Sequence, residues 1–192
     1  MKFLSKKIST DEAAEMCDSI VQSVERASQI TKGLLVFGKN ENDLKYESVQ
    51  LSKLLKEVAQ LMSTTDLARN VQFSFQVDPS LVIQCAQSQL KLAITNIYQN
   101  AIDATENLPQ KWVNVEAHKT SNTVEIFITD SGSGVPDEIR DRIMDPFFTT
   151  KGPGKGVGLG LTISKIIIDS LGGKLRLDPK SKNTRFVIEL PI

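Results

Sequence analysis

Gln87-Ser88-Gln89-Leu90-Lys91-Leu92-Ala93-Ile94-Thr95-Asn96-Ile97-Tyr98-Gln99-Asn100-Ala101-Ile102-Asp103-Ala104-Thr105-Glu106 holds neither Gly nor Pro and reads as one long helix. Leu90, Ala93, Ile97, Ala101 and Ala104 share one face, the side expected to meet a core. Asn96, Asn100 and Asp103 fall at i, i+4 and i+7 and line up along a neighbouring edge. Amide and carboxylate oxygens aligned in this way suit Mg²⁺, a hard cation that keeps several waters and shares itself with phosphates. Solvated helix positions would look the same. Asn is a poor helix former, however, so two of them mid-helix on one line call for a reason.

Outward from this helix the punctuation alternates. Leu51–Met62 is a second amphipathic helix, with Leu51, Leu54, Leu55, Val58, Leu61 and Met62 to one side. Val71, Phe73, Phe75 and Val77 alternate as a strand, which Asp78-Pro79-Ser80 turns. On the C-terminal side, strands Trp112–His118 and Thr123–Thr129 are joined by a short polar turn. A Gly- and Pro-rich stretch runs from Ser131 to Gly160, broken by a short helical piece around Glu138–Met144. A helix over about Leu161–Leu171 and strands Lys174–Leu177 and Arg185–Leu190 close the chain. Helices mixed with largely antiparallel strands predict a two-layer α/β sandwich.

The 192 residues are 40% hydrophobic and 24% charged, the balance of a chain with a core. Lys and Arg total 23 and Asp and Glu total 23, so no net field recruits nucleic acid or an anionic membrane. Two cysteines, Cys17 and Cys85, exclude a disulfide framework and suit a reducing compartment. No apolar run approaches the roughly 20 residues of a membrane span, and Met1-Lys2-Phe3-Leu4 opens no signal peptide. A cytoplasmic location is expected, any membrane anchor belonging to the rest of a parent protein. From Thr10 to Phe37 there is no Pro, and Ala13, Cys17, Ile20, Val24, Ala27, Thr31 and Leu34 recur at heptad spacing. That stripe is the seam of a helix that packs on a similar helix. Ser9-Thr10-Asp11-Glu12 offers its cap, and Gly38–Asp43 reads as a linker. Residues 1–43 are thus expected to form a helix and linker, and 44–192 the α/β domain.

Three further stretches could carry chemistry. Thr129-Asp130-Ser131-Gly132-Ser133-Gly134-Val135-Pro136 ends an apolar strand in a turn. A plain turn is one reading, and an aspartic-protease Asp-Ser-Gly signature is another. In a third, the carboxylate accepts a hydrogen bond from an exocyclic amine and so selects adenine over guanine. Gly154-Lys155-Gly156-Val157-Gly158-Leu159-Gly160-Leu161 leads into a helix. Its glycines let backbone N–H groups approach an anion, although a flexible hinge looks alike. The spacing fits neither a dinucleotide fingerprint nor a Walker A loop. Asp145-Pro146-Phe147-Phe148-Thr149-Thr150-Lys151 sets an aromatic anchor before hydroxyls and a cation, which suits the hinge of a lid whose Lys reaches a phosphate. A hydrophobic plug tethering a loop is its plainer reading.

In combination and order, Asn96-x-x-x-Asn100-Ala-Ile-Asp-Ala, Asp130-Ser-Gly-Ser-Gly-Val-Pro, Asp145-Pro-Phe-Phe-Thr-Thr-Lys and Gly156-Val-Gly-Leu-Gly-Leu resemble the N, G1, F and G2 boxes of bacterial sensor histidine kinases. The resemblance is to the nitrogen-regulation-like branch and runs from about Glu47 to the C-terminus. It implies the Bergerat ATP-binding fold of the gyrase, Hsp90 and MutL superfamily, and the protease reading falls away. It also implies roles. Asn100, with Asn96, would hold Mg²⁺, and both, with Lys151, would serve catalysis. Asp130 would read adenine, with Gly132, Gly134 and Val135 shaping the pocket. Phe148, Thr149, Thr150 and Lys151 would form a lid segment near the γ-phosphate, and Gly156, Val157, Gly158, Leu159, Gly160 and Leu161 the phosphate loop. Val157 stands where many members have Thr. Asp103 stands, at the edge of the nucleotide site, where another branch has a phosphate-binding Lys, so charge neutralisation would lean on Mg²⁺ and Lys151.

In this family the phosphoacceptor is a His on the first helix of a dimerising hairpin. The sole histidine here, His118, lies on a strand whose Val113, Val115 and Ala117 face the other way, so it reads as a solvent-facing sheet residue. Ser23–Lys39 resembles the second hairpin helix, and the first is not found. Two readings follow, a fragment that begins after the acceptor or a natural kinase-like protein that does something else. A heptad stripe with no partner helix favours the fragment. The expected function is the ATP-binding catalytic core of a sensor histidine kinase in a phosphorelay. Its partners would be a response regulator and a His-bearing hairpin of the same parent or another chain, with homodimerisation through residues 10–38. A non-catalytic nucleotide-binding or partner-binding module is the alternative.

Overall fold

The computed structural model describes residues 45–64, 68, 70–152 and 156–192, together with residues 12, 13, 16, 17, 19–21, 23, 24, 27 and 31. The strands are β1 (Glu47–Gln50), β2 (Gln72–Val77), β3 (Val82–Cys85), β4 (Trp112–Lys119), β5 (Thr123–Asp130), β6 (Lys174–Leu177) and β7 (Arg185–Pro191). The helices are α1 (Leu51–Met62), α2 (Gln87–Thr105), α3 (Asp137–Arg140) and α4 (Gly160–Ser170). Five strands form one sheet in the order β2-β4-β5-β7-β6. Only the β2–β4 pair is parallel in it.

Side-chain alternation makes one face of this sheet apolar. Phe75, Val115, Ile128, Phe186 and Leu177 lie in one row across the strands. Val77, Ala117, Ile126, Ile188 and Leu175 form the next. Helices cover that face, with α1 against β2, α2 against β4 and β5, and α4 against β6. The buried Tyr98 hydroxyl of α2 donates to Leu55 O on α1 at 3.4 Å, and the Ser164 hydroxyl of α4 donates to Ala93 O on α2 at 3.1 Å. These bonds satisfy polar groups that burial would otherwise penalise, and they fix both neighbours against α2. The architecture is the expected two-layer α/β sandwich.

Two expectations change. The sequence left β1 and β3 unassigned, yet they pair as a separate antiparallel ribbon, Val49 opposite Ile83. Ala104 of α2 and Leu61 of α1, both placed on apolar faces by their spacing, are exposed. The buried arc of α2 is instead carried by Leu90, Ala93, Ile94, Ile97, Tyr98, Ala101, Ile102 and Thr105, because helices flank it on both sides. In the N-terminal segment the described residues are helical, and Ala13, Cys17, Ile20, Val24, Ala27 and Thr31 of the heptad stripe are all exposed. Leu34, the cap at 9–11 and the linker at 38–43 lie outside the described residues.

Candidate functional site

A third inner row of the sheet runs Phe73, Val113, Asp130. Where alternation would place an apolar residue, the row ends in a carboxylate that is only 2% exposed. Burial pushes the Asp130 carboxyl up to about 6, while the Gly132 N–H and the Thr184 hydroxyl, both donating to it, pull the other way. The Gly132 N–H reaches Asp130 Oδ1 at 2.7 Å. A Cβ on Gly132 would sit 2.7 Å from that same oxygen and 3.7 Å from the Ala104 methyl, so a side chain here would have to displace the buried carboxylate. Asn183 Nδ2 donates to Gly132 O at 2.9 Å and holds the turn. The Val135 carbonyl accepts from Arg140 Nε at 2.9 Å, which ties this turn to α3.

The second cluster lies further back along α2. A Cβ on Gly160, the first residue of α4, would stand 3.8 Å from Asn96 Cβ and 3.9 Å from Asn100 Nδ2. The start of an 11-residue helix therefore opens beside two amide side chains. Asn96 Nδ2 is buried there with no hydrogen-bond partner. Lys151 Nζ donates to Asn100 Oδ1 at 3.3 Å and is ion-paired with Asp103 Oδ2. Gln99 Nε2 donates to the other Asp103 oxygen at 2.7 Å. Gly156 lies on the lysine stem, since a Cβ there would be 3.2 Å from Lys151 Cδ. Thr149 Oγ1 accepts the Lys151 N–H at 3.1 Å.

The two ends of the Gly-rich segment are fastened to each other. Phe147 N–H donates to Gly158 O at 2.9 Å, and both residues take positive φ, 65° and 71°. Phe148 lies under the Arg142 guanidinium, 4.6 Å from ring centroid to Cζ. Leu159 is buried in the core, and Val157 and Leu161 pack against it. Leu159 can offer a ligand only its backbone, whereas Val157 and Leu161 keep part of their side chains exposed. Thr150 is exposed, and residues 153–155 lie outside the described ones.

The structure thus lines up a strip along α2, with Asn96 and Gly160 at one end, Asp130, Gly132 and Ala104 at the other, and Asn100, Asp103 and Lys151, flanked by Thr149 and Gly156, between them. Sequence reasoning missed Thr184, Asn183 and the exposure of Ala104. Thr184 and Asn183 sit in a polar turn before β7 with nothing in the sequence to distinguish them. Asp130 carried a usable signal, because it continues the apolar phase of Val124, Ile126 and Ile128. His118 is on the outer face with its side chain 59% exposed, 3.6 Å from Glu116 Oε2. A cleft of about 340 Å³ between Asp78, Ser80, Leu81, Val82, Ala117, His118 and Lys119 lies at that far end of β4 and contains none of the site residues.

Comparison with known proteins bears on the family and the fold. The family described as Histidine kinase-, DNA gyrase B-, and HSP90-like ATPase matches residues 85–192. The sensor histidine kinase ZraS of Escherichia coli K12 is 30% identical over 94% of this chain and 38% of its own length. Sporulation kinase A of Bacillus subtilis is 31% identical over 91% of the chain and 28% of its own length. The chain therefore spans about a third of the curated relatives it matches. Among solved structures, the catalytic domain of histidine kinase ThkA superposes with a TM-score of 0.67 at 30% identity, covering 77% of this chain and 97% of that one. ThkA in complex with the response regulator protein TrrA gives 0.76 at 26% identity over 95% of this chain and 52% of that one. This chain belongs to the histidine kinase-, DNA gyrase B- and HSP90-like ATPase family, as an ATP-binding catalytic core of the two-component sensor-kinase type.

Proposed function

We propose that the strip along α2 binds Mg·ATP and presents its γ-phosphoryl group to a histidine supplied by another segment or another chain. The observation that carries this reading is the placement, at opposite ends of α2, of a buried acceptor, Asp130 of β5, and an anion-favouring corner where Gly160 opens α4 beside Asn96. Asn96 and Ala104 are about 12 Å apart along α2 at 1.5 Å per residue, a span that suits an extended nucleotide. At one end the Asp130 carboxylate accepts from the adenine amino group. Guanine would set a carbonyl oxygen against it, two acceptors facing each other. At the other end the unpartnered Asn96 Nδ2 donates to a phosphate oxygen, and the first turn of α4 offers free N–H groups.

Mg²⁺ fits the donor set. Asn100 Oδ1 already receives a cation, the Lys151 ammonium, and Asn96 is its neighbour one turn away. Among the described residues no group of three or more His, Cys, Asp or Glu could cage a metal. An ion here would take most of its oxygens from phosphate and water, as Mg²⁺ does. When bound it would neutralise phosphate charge during in-line transfer, while the chain's own groups position the donor. Lys151 supplies the protein's cation near the γ-phosphate, with Thr149, Thr150, Phe148 and the Gly156–Leu161 backbone around it.

Residues 44–192 form the nucleotide domain in this reading. Residues 1–43 contribute a helix whose exposed stripe pairs with the hairpin and with a second copy. A response regulator receives the phosphoryl group next, as the TrrA complex of ThkA suggests by analogy. Among the described residues no helix is long and apolar enough to cross a membrane, which accords with work in the cytoplasm. Calorimetry with ATP and GTP, with and without Mg²⁺, tests the binding half. Equal affinity for the two nucleotides would overturn the role of Asp130. Transfer of label from γ-labelled ATP to an added His-bearing hairpin tests the kinase half. Binding without transfer would make the chain a nucleotide-sensing module instead.

A further inference from the structure

We infer that Asp103 is a nucleotide-discriminating residue: it holds the lid lysine Lys151 in the absence of a γ-phosphate and competes with that phosphate for it. The inference rests on the proposed ATP site and deepens it. Lys151 belongs to a segment 48 residues further along the chain than Asp103, yet its ammonium is ion-paired with Asp103 Oδ2. The same ammonium touches Asn100 Oδ1. Both partners are only partly exposed, 33% for the lysine side chain and 21% for the aspartate, so solvent screens the pair less than a surface bridge. Asp103 is itself held, because Gln99 occupies its second oxygen at 2.7 Å.

One ammonium cannot serve two anions in different places. If Lys151 reaches a γ-phosphate, it must leave Asp103. A ligand ending in a β-phosphate makes no such demand. The pair therefore taxes the triphosphate and spares the diphosphate, by the ordinary arithmetic of a protein whose competent state is only partly populated. Asp103 has a second effect of different origin: its charge repels every polyphosphate in the cleft, with or without Lys151. The two effects separate in a double-mutant cycle.

The experiment measures the affinities of ATP and ADP, each with Mg²⁺, for the wild-type chain, Asp103→Asn, Lys151→Met and the double variant, by displacement of a fluorescent adenine nucleotide. Asn keeps the acceptor for Gln99 and loses the charge for Lys151. With Lys151 present, Asp103→Asn is expected to tighten ATP about threefold more than it does in the Lys151→Met background, from the loss of a half-buried pair. For ADP the two backgrounds should respond alike. Equal gains for ATP in both backgrounds would overturn the inference and leave only charge repulsion. Weaker ATP binding by Asp103→Asn with Lys151 present would overturn it too, since Asp103 would then be helping the lysine reach its target. No ATP binding by the wild-type chain would instead overturn the proposed site itself.

Discussion

Asp130 occupies a core position in the sheet register and carries a group that the core disfavours. Its carboxyl is raised to about 6 from the ordinary 3.8, chiefly by burial. The native state thus holds this proton more tightly than the unfolded chain does. Below about pH 3 both states are protonated and no penalty exists, and at pH 4 it is still only about 0.5 kcal/mol. Above pH 6 the native state bears the whole cost of a buried charge, about 3 kcal/mol at ~1.4 kcal/mol per unit. Asp130→Asn should therefore raise the unfolding free energy above pH 6 and leave it near wild type at pH 4, read as denaturant midpoints. A midpoint that falls at pH 7 would contradict this. The same variant should lose about 1.5–3 kcal/mol of ATP affinity, the worth of one charge-assisted hydrogen bond. A site that gains stability while losing its ligand is the mark of a residue kept for binding. Thr184 tunes the group. Thr184→Val removes a donor to the carboxylate, so the pH below which ATP affinity declines should move upward from about 6, measured by calorimetry across a pH series.

Between elements, the decisive junction is the back-to-back contact of the Phe147–Phe148 and Gly158 segments. Gly158 has φ 71°, and a Cβ there would lie 2.5 Å from both Phe147 C and Phe148 O. Backbone cannot yield as a flexible side chain can. Gly158→Ala should cost about 2 kcal/mol or more and weaken nucleotide binding, because it forces apart the two ends of the loop that carries Lys151. Gly152 has nothing within 4 Å of its Cβ position, so Gly152→Ala should stay within about 0.5 kcal/mol of wild type. Equal losses for the two variants would show that loop flexibility, not this junction, is what matters. Such junctions explain what was legible in advance. The long helices and the central strands announce themselves by periodicity, since each buries a repeating face. β1 and β3 have four residues each, too few to establish a period. The periodic face of α2 is narrower than the buried arc, which turns away from Ala104 and takes in Ile94, Tyr98, Ile102 and Thr105. Periodicity gives the direction of an arc, and the flanking helices set its width. Asn96, Asn100 and Asp130 were found through their motifs. The Lys151–Asp103 pair and the Thr184 donor arise from long-range closure, which no local pattern encodes.

At the scale of the whole molecule, the proposed donor site and the chain's only histidine are held apart by the sheet itself. Asp130 pairs in register with Val113, and His118 lies five residues further along the same strand. At ~3.4 Å per residue that is about 17 Å. The odd offset also turns His118 to the opposite face of the sheet from Asp130. Bringing it to the nucleotide would need a register slip of β4, which would expose Val113, Val115 and Ala117, all three buried in the core. The chain alone should therefore incorporate no acid-labile label from γ-labelled ATP, and label on His118 would refute the argument. Transfer to an acceptor outside the chain meets no such barrier. In the proposed site Asn96, Asn100, Lys151 and Asp130 lie along one strip of α2, open to a histidine brought from outside. A separately made hairpin must arrive by diffusion, without the roughly millimolar effective concentration that a short tether supplies. Labelling of that hairpin should then be slow, and its initial rate should rise linearly with hairpin concentration well below saturation. Rates that saturate at low micromolar hairpin would mean that the exposed stripe of Ile20 and Val24, 61% and 63% accessible, captures the acceptor helix first. Substituting Asp at both positions would then restore the linear dependence, whereas a purely diffusional encounter would leave the rates unchanged.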